Sequence, residues 1–250
     1  MDSDILSGQK NKTKLNNNEC NIRNIKSKYL LKFIFNTLHK RILFKIIQHN
    51  KYIQNRLDLD KKGFKICSET YTTIEIDIIP FEKKFGKFIN ILTTADENFY
   101  HIYFNDKKEE IKRTWIEEND TLTKIIIVID YQIKSFHGLF KDCECIKSIK
   151  FTKFYRTNIE NTSEMFYNCN FLKEINLSNF NTFSVSNMSY MFGKCFSLKE
   201  LNLTNFNTNK VINMKGMFKE CASLELLNID NFNTINVTDM SEMFYKCLLL

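Results

Sequence analysis

The second half of the chain repeats itself every 26 residues. A Met-Phe-x-x-Cys motif, or Leu-Phe-x-x-Cys in the first copy, places one cysteine in each copy, at Cys143, Cys169, Cys195, Cys221 and Cys247. A fixed period of about 20–50 residues indicates structural units that stack and bury a continuous core between them. This period constrains the fold more than any local pattern, because every element must recur at the same spacing.

Residues 198–221 illustrate the parts of one unit. Leu201 and Leu203 alternate with Glu200 and Asn202, as in a short strand with one buried side. A turn-rich run follows, and from Val211 onward apolar residues fall at helical spacing. We therefore predict an α/β solenoid of the leucine-rich-repeat type, with a short parallel strand, a turn and a short helix in each 26-residue unit.

Polar residues at the start of each apolar run support the predicted helices. Their side chains can accept hydrogen bonds from the free N–H groups of a helix start, and they are Ser135, Asn161, Asn187, Asn213 and Asp239. Glu164 and Glu242 follow three residues after Asn161 and Asp239, as in a capping box. Both patterns predict helix N-termini in the repeats.

The repeat sequence resembles a known family. Residues 198–208, Leu-Lys-Glu-Leu-Asn-Leu-Thr-Asn-Phe-Asn-Thr, and 213–221, Asn-Met-Lys-Gly-Met-Phe-Lys-Glu-Cys, are similar to the BspA-type repeat, also described as the mycoplasma-lipoprotein-type repeat. The resemblance covers roughly the second half of the chain. It implies a solenoid that binds ligands or protein partners, in many members on a cell surface, and it does not imply catalysis.

The N-terminal region is basic. The net charge of the chain is +7, and residues 1–56 carry twelve Lys and Arg against three acids. Residues 1–22 are polar without apolar periodicity and predict a disordered tail. The first apolar run comes late and is interrupted by charges, which argues against a secretory signal and a membrane span. These features predict a cytoplasmic protein, in contrast to the surface-exposed members of the family.

Residues 23–60 predict a helical segment. The runs Leu30 to Leu38 and Ile42 to Ile47 are similar to an F-box, although Ser27-Lys28-Tyr29 stands where the usual Leu-Pro opening would be. By resemblance, such a segment would recruit a Skp-like component of a ubiquitin ligase. The alternative is a pair of helices that only packs on its neighbours. The basic charge also suits nucleic acid or anionic lipid, but no recognition motif accompanies it, and we predict no specific nucleic-acid binding.

Residues 61–130 predict a small β-rich domain that caps the first repeat. The candidate strands are Ile74–Pro80, Phe88–Leu92, Tyr100–Phe104, Glu110–Ile116 and Lys124–Asp130, the last one buried on both faces. The repeats then occupy 131–250 and stop within a unit at Leu250. This ending suggests a fragment of a longer chain, in which case a surface-exposed adhesion protein is an alternative.

No catalytic or metal-binding constellation emerges from the residue types. The cysteine column fits small buried residues that fill one slot per unit, and a reducing compartment predicts thiols. Cys143-x-Cys145 with His137 falls short of the four ligands of a zinc site. No glycine-rich phosphate loop is present. We predict that the protein is not an enzyme and needs no cofactor.

The surface of the predicted sheet is the remaining candidate site. Residues between the inward leucines face outward and form a strip that we predict contacts a protein partner, consisting of Lys150, Glu174, Asn176, Glu200, Asn202 and Asn228. The alternative is that the stacked Asn side chains only hydrogen-bond along the sheet. The favoured function is a non-catalytic interaction scaffold, and an F-box-like substrate adaptor is the alternative. The identity of the partner is left open.

Overall fold

The structure, a computed structural model, describes residues 26–27, 50–56 and 72–250. The chain divides into two compact units, Met1–Lys61 and Lys62–Leu250. The predicted tail at 1–22 and the F-box-like runs at 30–38 and 42–47 lie outside the described residues. The F-box-like segment therefore stays a prediction.

The first unit contains one short helix within the described residues. Helix α1 spans Lys51–Arg56 and buries Ile53. Asn50 precedes it, and the Asn50 Oδ1 accepts a hydrogen bond from the backbone N–H of Ile53 at 3.3 Å. An Asn in this position satisfies one of the free N–H groups of the first turn.

The β-rich part of the second unit belongs to a six-stranded sheet. Its strands are β1 (Ile74–Pro80), β3 (Tyr100–Phe104), β4 (Glu110–Ile111), β6 (Ile125–Ile129), β7 (Ile146–Lys153) and β8 (Glu174–Asn176), in the spatial order β4-β3-β6-β1-β7-β8. A separate pair joins β2 (Gly86–Lys87) to β5 (Trp115–Ile116). The strands predicted at 74–80, 100–104 and 124–130 thus form at nearly the predicted bounds.

Three of the strand predictions are wrong in detail. Residues 88–92 form no strand. Phe88 and Ile89 lie in the loop that follows β2, and both are buried. The predicted strand at 110–116 is split into β4 and β5. Strand β6 is buried on one face only, since Ile126 and Val128 on its other face are half-buried.

Strand β7 connects the β-rich part to the repeats. It pairs antiparallel with β1 over 75–80 and parallel with β8, where Ile149 lies opposite Ile175. Two further repeat strands, β9 (Glu200–Asn202) and β10 (Leu226–Asn228), pair parallel with each other. The first repeat therefore has its strand edge covered by β1, which leaves no bare sheet edge at that position.

The predicted helix of each repeat does not form. Residues 161–169, 187–195 and 213–221 are consecutive turns, and parallel bridges link the repeats at Ser135, Asn161, Asn187, Asn213 and Asp239. Alternate N–H groups bond to the next repeat, as Phe166 N–H does to the Met191 carbonyl at 2.8 Å. The others close turns within the repeat, as Cys169 N–H does to the Phe166 carbonyl at 3.2 Å. The described chain is mostly β, and the α/β solenoid is not confirmed.

Backbone conformation explains why turns replace the helix. Two positions in every repeat have a positive φ of 54–61°, and they are Gly138, Glu164, Tyr190, Gly216 and Glu242 in the first column and Asp142, Asn168, Lys194, Glu220 and Lys246 in the second. A left-handed residue every four positions interrupts an α-helix. The resulting four-residue turn period places apolar side chains on one side, much as the 3.6-residue helical period does.

The polar residues predicted to cap helices instead close turns. The Asn161 Oδ1 accepts from the N–H of Ser163 at 2.9 Å, and Asn187, Asn213 and Asp239 do the same two residues onward. Glu164 forms no capping box. Its carboxylate lies 2.5 Å from the Lys141 ammonium of the preceding repeat.

The core of the stack consists of identical residues placed one above another. The rings of Phe140, Phe166, Phe192, Phe218 and Phe244 stack with centroids 5.5–5.8 Å apart and interplanar angles of 4–13°. Met165, Met191 and Met217 are fully buried beside them. Each buried Phe or Met contributes about 1.5–3 kcal/mol of transfer free energy, so these columns account for much of the cohesion between repeats.

Candidate functional site

The predicted contact strip lies on the outward side of the repeat strands. Lys150, Glu174, Asn176, Glu200 and Asn202 are exposed, and Asn228 is half-buried. Between them the inward residue Leu201 is only 3% exposed. The strands thus direct all six predicted residues away from the core, as the alternation of a strand requires.

The side chains of the three Asn residues in the strip stabilise local turns. The Oδ1 of Asn176 accepts from the N–H and the Oγ of Ser178 at 3.1 and 2.7 Å. Asn202 holds Thr204 in the same way, and the Asn228 Oδ1 accepts from the N–H of Asp230. Such Asx-turns let the chain leave the strand sharply. These side chains hydrogen-bond to their own turns, which differs from the predicted ladder along the sheet.

The charged residues of the strip differ in their surroundings. Within the described residues, Glu174 and Glu200 form no ion pair. The neighbouring cations are engaged elsewhere: the Lys173 ammonium lies 5.4 Å from the centre of the Phe81 ring, and the Lys199 ammonium lies 3.8 Å from the Glu225 carboxylate. Glu174 and Glu200 can therefore pair with an incoming cation without losing an existing ion pair.

A cleft opens on this face between two repeats. Strands β8 and β9 belong to different sheets, and no backbone pairing joins them in the part of the chain that the structure describes. The cleft has a volume of about 750 Å³ and is lined by Lys173, Glu174, Ile175, Ser197, Lys199, Glu200, Asn202 and Ser223. This volume lies within the range of about 300–1,000 Å³ that is typical of ligand-binding clefts.

Sequence reasoning identified three of these lining residues but not the cleft. Glu174, Glu200 and Asn202 were predicted as outward residues of a continuous sheet. Ser197 and Ser223 precede the strands in equivalent positions and carry no distinguishing signal. The break between β8 and β9 leaves no mark in the sequence, because the repeats on both sides of it follow the same pattern.

The cysteines of the column hydrogen-bond to the backbone of the neighbouring repeat. Cys169, Cys195, Cys221 and Cys247 carry free thiols, and each donates to the carbonyl of a Phe in the preceding repeat at 3.0–3.2 Å. Burial raises the pKa of the Cys221 thiol to about 12 and that of Cys145 to about 11. A thiol whose pKa is raised by burial is a poor nucleophile and metal ligand.

The histidines form local contacts in the β-rich part and the first repeat. The His101 ring lies 3.1 Å from the Glu110 carboxylate and 3.6 Å from that of Asp130. His137 Nδ1 lies 2.8 Å from Ser163 Oγ, which also donates to Asn161 Oδ1 and is buried. Among the described residues, no group of three or more His, Cys, Asp or Glu is placed to hold a metal ion.

A buried arginine was not found by sequence reasoning. Arg156 is fully buried, and it donates from Nη1 to the backbone carbonyl of Asp130 at 2.7 Å. Burial lowers the pKa of its guanidinium to about 10. Its place at the junction of the sheet and the first repeats indicates a structural role there.

Among the described helices, none is long and apolar enough to cross a membrane.

Comparisons with known proteins found a family match and a structural neighbour, each of which covers part of the chain. Residues 134–249 match the family described as Mycoplasma protein of unknown function, DUF285. No curated protein matches the chain. A leucine-rich repeat protein from Bacteroides ovatus ATCC 8483 aligns at 20% identity and a TM-score of 0.29, over 52% of this chain and 40% of that chain. None of these matches assigns a partner or an activity.

Proposed function

We propose that the protein is a non-catalytic scaffold that binds a partner protein through the outward face of its repeat strands. The observation that carries this proposal is the exposed strip at repeat spacing, with Glu174 and Glu200 at its centre and a cleft beside them. Interaction surfaces of repeat proteins arise in this way, since stacking places equivalent side chains in a row.

The family match over residues 134–249 is compatible with an interaction role. The family description names no function, so the proposal depends on the surface of this chain. The resemblance to BspA-type repeats adds binding, without catalysis, as the expected activity. No residue group described above unites a nucleophile, an exposed base and a cleft.

The test changes the charge of the strip and leaves its turns intact. Glu174→Lys combined with Glu200→Lys reverses the central charge, whereas Asn176 and Asn202 are kept because their side chains close turns. The matched control is Glu109→Lys with Glu118→Lys, since both residues are exposed and Glu109 directly precedes β4, at the opposite edge of the sheet from β8. Circular dichroism checks that both variants fold.

The readout is affinity capture with the full chain from a lysate of the native host. A protein retained by the unchanged chain and by the control variant, but lost with the strip variant, supports the proposal. If every retained protein binds the strip variant fully, the strip is not the binding surface. Turnover of a substrate by the purified chain, abolished by one polar substitution, would contradict the non-catalytic assignment.

A further inference from the structure

Among the residues that the structure describes, the break between β8 and β9 leaves backbone groups of β9 without strand partners. Leu203 N–H bonds to the Asn228 carbonyl at 3.0 Å, and Leu226 N–H bonds to the Lys199 carbonyl at 3.1 Å. These bonds show that residues 199 and 203 direct their backbone toward β10. Because backbone groups alternate sides along a strand, the N–H and C=O groups of Glu200 and Asn202 point toward β8, and no backbone group of the described residues pairs with them there.

The break is short and closed at both ends. Ser197 Oγ donates to the Asn170 carbonyl at 2.6 Å before the strands, and Asn205 Nδ2 donates to the Leu177 carbonyl at 2.9 Å after them. Between these ties lie three residues of each strand. The opening is therefore limited to these three residues of each strand, and the two repeats stay in contact on both sides of it.

Two carboxylates at the break are available to the cations of an extended ligand. Glu174 and Glu200 line the cleft on β8 and β9 without an ion pair among the described residues. Lys173 and Lys199 are held against Phe81 and Glu225. A cationic side chain that follows the cleft can therefore reach a carboxylate on either strand without displacing an existing partner.

We propose that this cleft binds an extended, lysine- or arginine-bearing segment of the partner protein. The segment aligns its backbone with the unpaired groups of Glu200 and Asn202 and directs its cations to Glu174 and Glu200. Strand addition of this kind gives affinity through main-chain hydrogen bonds and selectivity through alternate side chains. The inference rests on the proposed function and specifies the chemistry of the partner.

The experiment measures peptide binding to the full chain by fluorescence anisotropy. The probe is a labelled, capped peptide of about five residues in which Lys alternates with Val or Thr, as a strand-forming ligand requires, so that its three central residues match the length of the break. Two matched peptides accompany it, one with Glu in place of Lys and one with N-methyl groups on alternate amides. The chains are the unchanged protein, Glu174→Lys with Glu200→Lys, and the control Glu109→Lys with Glu118→Lys.

We expect the Lys peptide to bind the unchanged and control chains alike and the strip variant at least about tenfold more weakly, because two ion pairs become repulsions. The Glu peptide should not bind, and N-methylation should also weaken binding about tenfold, since it removes backbone donors. Equal binding of the N-methylated peptide would overturn strand addition, and equal binding by the strip variant would overturn the site.

The two proposals fail in distinguishable ways. If the Lys peptide does not bind, while capture from the lysate still depends on Glu174 and Glu200, the strip is a contact surface and only the peptide inference is wrong. If capture is independent of the strip, the proposed function itself is wrong.

Discussion

Three glycines of the repeats differ in backbone conformation and in the space around them. Gly216 combines a left-handed backbone with a close neighbouring side chain, whereas Gly138 and Gly193 each have one of these features. Gly216 has a φ of +56°, and a Cβ on it would lie 2.3 Å from Cε1 of Tyr190. Gly138 has the same conformation, at +59°, but a Cβ there would meet only Lys141, at 3.7 Å. At Gly193, where φ is not positive, a Cβ would meet the Tyr167 ring at 3.0 Å.

The costs of three alanine substitutions follow from this geometry. Gly138→Ala should lower the free energy of unfolding by about 1–2 kcal/mol, the cost of a left-handed non-glycine residue. Gly193→Ala should cost less than about 1 kcal/mol, since the neighbouring ring need move only a few tenths of an ångström. Gly216→Ala adds an overlap, worth about 1–3 kcal/mol, to the left-handed conformation, and should cost about 2–5 kcal/mol.

A double-mutant cycle isolates the overlap. In a Tyr190→Ala background the ring is absent, so Gly216→Ala should retain only the conformational cost of about 1–2 kcal/mol. Urea unfolding followed by circular dichroism gives the free energies of unfolding of the unchanged chain and the five variants under one condition. If Gly138→Ala costs as much as Gly216→Ala, or if Tyr190→Ala does not reduce the cost at Gly216, the steric explanation is refuted.

Two further predictions concern the core. Leu201→Ala should cost about 2–5 kcal/mol in urea unfolding, whereas Leu226→Ala, at a site 62% exposed, should stay within about 0.5 kcal/mol; similar costs would place Leu201 outside the core. Because burial raises the pKa of Cys221 from 9.0 to about 12, its contribution to stability is complete below about pH 9 and declines as the pH rises toward 12, by up to about 1.4 kcal/mol per pH unit. The slope of stability between about pH 9 and 10.5 should therefore be smaller in Cys221→Ala, and an unchanged slope would contradict this linkage.

Strand pairing in the β-rich part was predictable where one face is buried. Ile74, Ile76 and Ile78 alternate with polar or exposed residues, and β1 forms at the predicted bounds. Residues 88–92 show the limit of this reasoning, because Phe88 and Ile89 are adjacent and both buried in a loop. An apolar run indicates burial but does not decide between a strand and a loop.

The helix prediction failed because two periods coincide over a short run. Apolar residues at 211, 214, 217, 218 and 221 fit a helix and also fit consecutive four-residue turns. What decides between them is the partner of each N–H group. In the structure Phe192 N–H bonds to the Met217 carbonyl of the next repeat, so it is not available to an i−4 carbonyl.

The sequence predicted which side chains of the candidate site face outward, but it predicted neither their hydrogen bonds nor the cleft beside them. The alternation of Leu201 with Glu200 and Asn202 predicted which side chains face outward. The Asx-turn of Asn202 depends on the local backbone conformation, and the cleft depends on the missing pairing between β8 and β9 within the described residues. The repeat pattern of the sequence specifies neither of them. The cytoplasmic location, the Skp-like partner and the adhesion alternative stay predictions.

The 26-residue register also restricts how such a chain can change its length over time. Each repeat bonds to carbonyls of its neighbour 25 residues onward, as Phe140 and Phe166 do with Met165 and Met191. Gain or loss of a whole unit restores every bond, whereas a single-residue insertion within 161–169 would place a different side chain at each left-handed position. Natural variation in this part of the molecule should therefore proceed by duplication or deletion of complete units, with single-residue length changes confined to the segments between the turns and the strands.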